Sequence, residues 1–161
     1  MRHINTQTPI PSRKLKGLNK RHAKDYAANV SIPFGELYEV LKEFEDNGEI
    51  PIIIKKIWSA IYSRSEPILT EEIQNQVGLN SVSSVNRIFG SFAKKFYIRF
   101  KNKFNQSPIE IKSGKGIKCV YTQMFVDIFE LDNGLLYFTL RSSFRIALNR
   151  IFDDSTIKGW N

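Results

Sequence analysis

The stretch that most constrains this chain is residues 68–97, ILTEEIQNQVGLNSVSSVNRIFGSFAKKFY. Its spacing predicts two short helices joined by a tight turn. Thr70 stands where an N-cap would stand, and Glu71 and Glu72 follow in the first turn, where negative charge complements the helix dipole. Ile73 and Val77 fall four apart, and Gly78 is placed to stop the helix in a left-handed conformation that costs glycine little. Leu79 and Asn80 turn the chain, and Ser81 offers the next N-cap. Val82, Val85, Phe89, Phe92 and Phe96 then recur on one face of a second helix, over about residues 81–97. That face is the candidate core.

The opposite face carries Ser83, Arg87, Gly90, Ser91 and Lys94, with Asn86 and Lys95 at its margins, and has no acid. Hydroxyls, an amide and cations in this pattern suit base edges and phosphates in a major groove. They equally describe the solvated side of an amphipathic helix in an all-helical domain. Farther on, Pro108–Lys112 alternates apolar and polar residues, Ser113–Gly116 has turn composition, and Ile117–Tyr121 is a second strand-like run, which together predict a hairpin. A helix-turn-helix followed by a hairpin with a basic tip resembles the winged helix-turn-helix superfamily, over about residues 51–131. The expected fold is therefore mainly α with a small antiparallel β-hairpin at 108–121, flanked by extra N- and C-terminal helices. The resemblance implies a second helix that reads DNA, with Lys112, Lys115 and Lys118 on a wing against phosphates.

Charge is distributed in the same sense. The chain of 161 residues has a net charge of +8. Residues 81–121 alone contain nine Lys and Arg against one acid, and residues 1–30 contain seven against one. Residues 31–50 run the other way, with one cation against six acids. A basic excess on a helix and hairpin of this kind is the electrostatic footprint of nucleic-acid binding.

Three divisions are expected: a basic, flexible arm at 1–33, a winged-helix domain with flanking helices at 34–152, and a tail at 153–161. The arm contains Pro9, Pro11 and Pro33 and a weak helical pattern from Leu18 to Val30. It could follow a phosphate backbone or serve only as a soluble terminus. Gly35–Asn47 predicts an amphipathic helix with Leu37, Val40, Leu41 and Phe44 inward; its acidic face suits solvent, or the basic arm of this or another chain. Pro51 suits the first position of a very apolar helix through Tyr62, the expected central packing helix, with Lys55, Lys56 and Arg64 off its buried stripe. Between recognition helix and hairpin, Tyr97–Ser107 interleaves Arg99, Lys101 and Lys103 with Tyr97, Phe100 and Phe104. Either these aromatics stack on unpaired bases or they join the core and leave the cations outside. Thr122 is expected to cap a helix to Leu131, Asn133-Gly134 to turn, and Leu135–Leu140 to form a strand or the buried start of a helix. A last helix begins at Ser142 or Ser143, with Phe144, Ala147, Leu148 and Ile151 at core spacing and Arg141, Arg145 and Arg150 on its outer side. Trp160 has no evident partner.

Other chemistry finds little support. His3 and His22 are the two histidines, both in the arm, and Cys119 is the single cysteine, so no zinc or cysteine metal site and no histidine-based catalytic triad can be built around the core. Ser113–Gly116 lacks the spacing of a phosphate loop. Glu110-Ile-Lys112 matches the end of a metal-dependent nuclease signature but lacks its acidic partner. No apolar run nears the roughly 18 residues that span a bilayer, and the start has no signal-peptide core, so the cytoplasm is the expected compartment. The expected function is a non-enzymatic double-stranded DNA binder without cofactor, a transcriptional regulator or mobile-element accessory factor. It is a possible homodimer through the last helix. RNA binding and a winged-helix protein-interaction module are the alternatives.

Overall fold

The computed structural model describes residues 32–109, 120–130 and 135–161. The basic arm, most of the hairpin expected at 108–121 with Glu110, Lys112 and Cys119, and the Asn133-Gly134 turn lie outside the described residues.

The described chain is mainly helical with a small three-stranded antiparallel sheet. Helix α1 (Phe34–Asp46) buries Leu37, Val40, Leu41 and Phe44, the four residues its period singled out. Helix α2 (Ile52–Tyr62) is the packing helix expected. Pro51 caps it from just outside, its carbonyl accepting from the backbone N–H of Ile54 and Lys55. Strand β1 (Ile68–Leu69) leads into α3 (Thr70–Val77), so Thr70 is the first helical residue, buried, and Leu69 occupies the cap position. Gly78 ends α3 at φ 78° with its N–H on the Gln74 carbonyl, a conformation that favours glycine.

Ser81 caps α4 (Val82–Phe104) by accepting from the Ser84 N–H at 3.1 Å. This helix runs past residue 97 because the apolar period does not stop there: Tyr97 and Phe100 continue the buried line of Val85, Phe89, Phe92, Ala93 and Phe96. Asn105, left-handed at φ 53°, ends it. The interleaved aromatics are thus core residues on a helix, with Phe104 partly buried beside Phe100.

The helix expected from Thr122 to Leu131 does not form. A short 3-10 turn (Tyr121–Met124) leads into β2 (Val126–Glu130), which pairs with β3 (Leu136–Leu140) in register Val126↔Leu140 and Ile128↔Phe138. Strand β3 lies in the middle, with β1 on its other edge. The apolar residues of 125–129 fit both periods. Val126, Asp127 and Ile128 are all buried, so β2 is covered on both faces and lacks the alternation that marks a half-exposed strand.

Trp58 of α2 is fully buried at the centre, its ring 5.7 Å from Phe92, 5.2 Å from Phe125 and 5.0 Å from Phe144. Helix α5 (Ser142–Ile151) lays Phe144, Ala147 and Leu148 against the core and packs mainly on α1. The stripe offered as a dimer surface is therefore covered within one chain. Its arginines do not line an outer side as a group. Arg141 is 1% exposed and pairs with buried Asp127 at 2.8 Å across the β2–β3 hairpin. Arg145 is half-buried, stacks on the Tyr62 ring and donates to the Tyr62 carbonyl, and Arg150 alone of the three is exposed. Burial pushes the Arg141 guanidinium down, against the opposing field of Asp127. The tail is folded as well: Asp153 caps α6 (Asp154–Lys158), Ile157 is buried, and Trp160 packs edge-on against Phe152 at 4.8 Å.

Candidate nucleic-acid interface

Helix α4 has 23 residues and is about 34 Å long at 1.5 Å per residue. Its core line fixes its rotation. Phe89 and Phe92 meet Phe125, and Phe96 stacks on Phe44 of α1 at 5.2 Å. With that side inward, Ser83, Arg87, Ser91 and Lys94 are exposed in one line, and Lys101 continues it. Asn86 is exposed on one margin and Lys95 on the other. Arg87 and Lys101 have no ion-pair partner among the described residues. Lys94 holds its ammonium 5.9 Å from the ring of Tyr121, which in turn packs on Tyr97. Tyr121, the first residue of the 3-10 turn, thereby lies beside the middle of the exposed line.

Lys95 and the remaining cations of α4 centre about a third of a turn away, on the flank that faces α1. Arg99 donates to Glu43 at 2.9 Å and to Glu49 at 2.8 Å, and its guanidinium covers the Phe44 ring at 4.4 Å. Lys103 reaches the other oxygen of Glu43 at 3.1 Å, and Lys95 stands 3.9 Å from Glu49. The Lys103 hydrogen bond, with Arg99 assisting, holds the Glu43 carboxyl below its ordinary value, and Arg99 foremost does the same for Glu49. Lys55 pairs with Glu45 and Arg64 with Glu72 in the same manner, so neither is merely solvated. The acidic face of α1 is met by cations of its own domain.

The sequence-derived set therefore divides. Ser83, Asn86, Arg87, Ser91, Lys94 and Lys101 come together on an open surface, with Lys95 exposed at its margin toward Glu49. Arg99 and Lys103 are tied into the fold, and Lys112, Lys115 and Lys118 lie outside the described residues. Two features were missed. Ile98 is 45% exposed in line with Lys94 and Arg87, and continuing the helical wheel past residue 97 would have found it. The hairpin among the described residues, β2–β3, belongs to a stretch without a cation: from Thr122 to Leu140 the charged residues are Asp127, Glu130 and Asp132. Its sign is wrong for a phosphate-holding wing.

Among the described residues no group of His, Cys, Asp and Glu could hold a metal ion, and no helix is long and apolar enough to cross a membrane. No family model, curated protein or solved structure matches the chain.

Proposed function

We propose that this protein binds double-stranded DNA without catalysing a reaction, as a regulator or mobile-element accessory factor, and that it does so as a winged helix-turn-helix. In this reading α3, Gly78 and α4 are the helix-turn-helix and the outer line of α4 enters the major groove. The observation that carries the reading is the composition of that line. Arg87 and Lys94 stand two turns apart, separated by Ser91, with Asn86 beside them and no acid on the exposed side. Arg and Asn are the side chains that make bidentate contacts to guanine and adenine edges, and exposed Ile98 suits a thymine methyl.

What supports a winged arrangement is chain order alone, an antiparallel hairpin after α4; β2–β3 at 126–140 is not the basic wing expected at 108–121 and has no cation to offer phosphate. Phosphate contacts in this reading come from α4 and from Lys112, Lys115 and Lys118, which lie outside the described residues. Of the two motives for the RNA alternative, the basic charge and the stacking of interleaved aromatics on unpaired bases, the second loses its support because Tyr97 and Phe100 are buried. Competition among a duplex pool, single strands and structured RNA at one stated salt concentration tests the proposal. Duplex DNA is expected to win; preference for RNA or single strands overturns the reading, and retention of none of the three favours a protein-interaction module.

A further inference from the structure

The α1 flank of α4 bears on how a duplex would lie, an inference that rests on the DNA-binding reading above. Three cations, Lys95, Arg99 and Lys103, follow one another at four-residue spacing along that flank. On any basic helix they would extend the phosphate-binding surface. Here Glu43 and Glu49 stand against them, one at the last turn of α1 and one just beyond it. Both carboxylates contact Arg99 within 3.1 Å, Glu43 also holds Lys103, and Arg99 is further seated on Phe44. The opposite situation holds about a third of a turn away, where Arg87 and Lys101 have no ionic partner among the described residues.

We propose that Glu43 and Glu49 are positioning residues for the duplex: by neutralising Arg99 and Lys103 they close the α1 flank to phosphates and direct the DNA backbone past the Asn86 side of α4. Three physical reasons carry this. A phosphate approaching Arg99 must displace a two-carboxylate clamp that is already formed and costs no further ordering. It must also come close to two negative charges at separations well inside the screening length of about 10 Å at 0.1 M salt. A straight helix of about 34 Å cannot follow a curving groove along its whole length, so a device that selects which side carries the backbone sets the docking geometry.

The test is the salt dependence of duplex binding by four proteins: wild type, Arg87→Ala, Glu43→Gln/Glu49→Gln, and a quadruple variant that adds Arg99→Gln/Lys103→Gln. The amides keep the size of the carboxylates. Freeing Arg99 and Lys103 should steepen the slope of log K against log salt by about 0.9 to 1.8, since each phosphate contact on duplex DNA contributes about 0.9. The quadruple variant has the net charge of the wild type and should return to the wild-type slope. A slope unchanged in the double variant, or still raised in the quadruple, overturns the proposal. Duplex binding that depends on Arg87 while the double variant behaves as wild type overturns this inference alone; absence of duplex binding by the wild type overturns both. Should the double variant melt early, amine labelling of the wild-type protein with and without duplex decides: Lys94 and Lys101 protected with Lys103 unchanged is expected, and protection of Lys103 equal to that of Lys94 refutes the closed flank.

Discussion

Two strips of one helix, about a third of a turn apart, hold similar residues in opposite states. The outer strip of α4, Ser83 through Arg87, Ser91 and Lys94 to Lys101, is exposed and makes no ion pair among the described residues, with the Lys94 ammonium over the Tyr121 ring. The flank strip, Lys95, Arg99 and Lys103, meets Glu43 and Glu49. Sequence weighs all these cations equally, because each is Lys or Arg off the apolar stripe. What separates them is a neighbour more than forty residues earlier in the chain. Net charge on a helix thus overstates the charge it can offer a partner, and the useful quantity is what remains after the fold has paired its own.

Both strips depend on the buried side that sets the rotation of α4, and the largest effect should come from there. Phe96 is fully buried, stacked on Phe44 and edge-on to Phe125 at 5.0 Å, so it joins α4 to α1 and to the sheet layer. Phe96→Ala is expected to cost about 3 to 5 kcal/mol of stability by urea unfolding, from lost burial and the cavity left behind. It would loosen the clamp and the outer strip together. A loss under about 1 kcal/mol would mean that α1 and α4 do not share this contact, and the two-strip comparison would fail with it.

Arg87→Ala sharpens the comparison from the outer side. Loss of a bidentate base contact should remove roughly 1 to 3 kcal/mol of discrimination between preferred and random duplexes while leaving the melting temperature near that of the wild type. Equal losses of affinity for both kinds of duplex would reduce Arg87 to a phosphate contact.

Much of this arrangement was legible in the sequence. The buried residues of α1, the Gly78 stop, the Ser81 cap and the exposed line from Ser83 to Lys94 all follow from local signals, and local interactions decide them. The failures share a different cause. Residues 122–131 were expected to be helical because β2 is covered on both faces, so its period carries no information; the decisive fact is that Leu136–Leu140 supplies a pairing partner. Arg141 was placed outside because arginine is seldom buried, and only the fold brings Asp127 to within 2.8 Å of it. Trp160 and the acids of α1 likewise acquire their partners from distant parts of the chain.

The clamp itself can be read by pH. The Glu43 and Glu49 carboxyls titrate below their ordinary 4.5 in the folded protein, held down by Lys103 and Arg99. The unfolded chain therefore binds more protons in that range. The stabilisation from the pair is complete above about the ordinary value and disappears as pH falls through the lowered folded values. Melting temperatures of wild type and Glu43→Gln/Glu49→Gln should differ at pH 7 and converge as pH falls below the ordinary 4.5 and through the lowered folded values. Asp153 and Asp154, also lowered, are common to both proteins and cancel in the difference. A gap that stays constant with pH would show that the clamp contributes through packing alone.

The smallest effect separates stability from binding at one atom. Gly90 lies in the interior of α4, beside the outer strip between Asn86 and Lys94, where glycine disfavours the helix. A Cβ added there meets nothing within 4 Å, so packing does not require glycine at this position. Gly90→Ala should therefore stabilise the protein by roughly 0.5 to 1 kcal/mol, read as a higher urea midpoint. If α4 lies in a groove by its outer strip, the same methyl intrudes where helix backbone and duplex approach each other, and affinity should fall as stability rises. Opposite signs in the two measurements would put Gly90 within the interface. A more stable protein with unchanged duplex affinity would move the contact line off this side of α4, toward Ser91 and Ile98, and with it the side on which the DNA backbone passes.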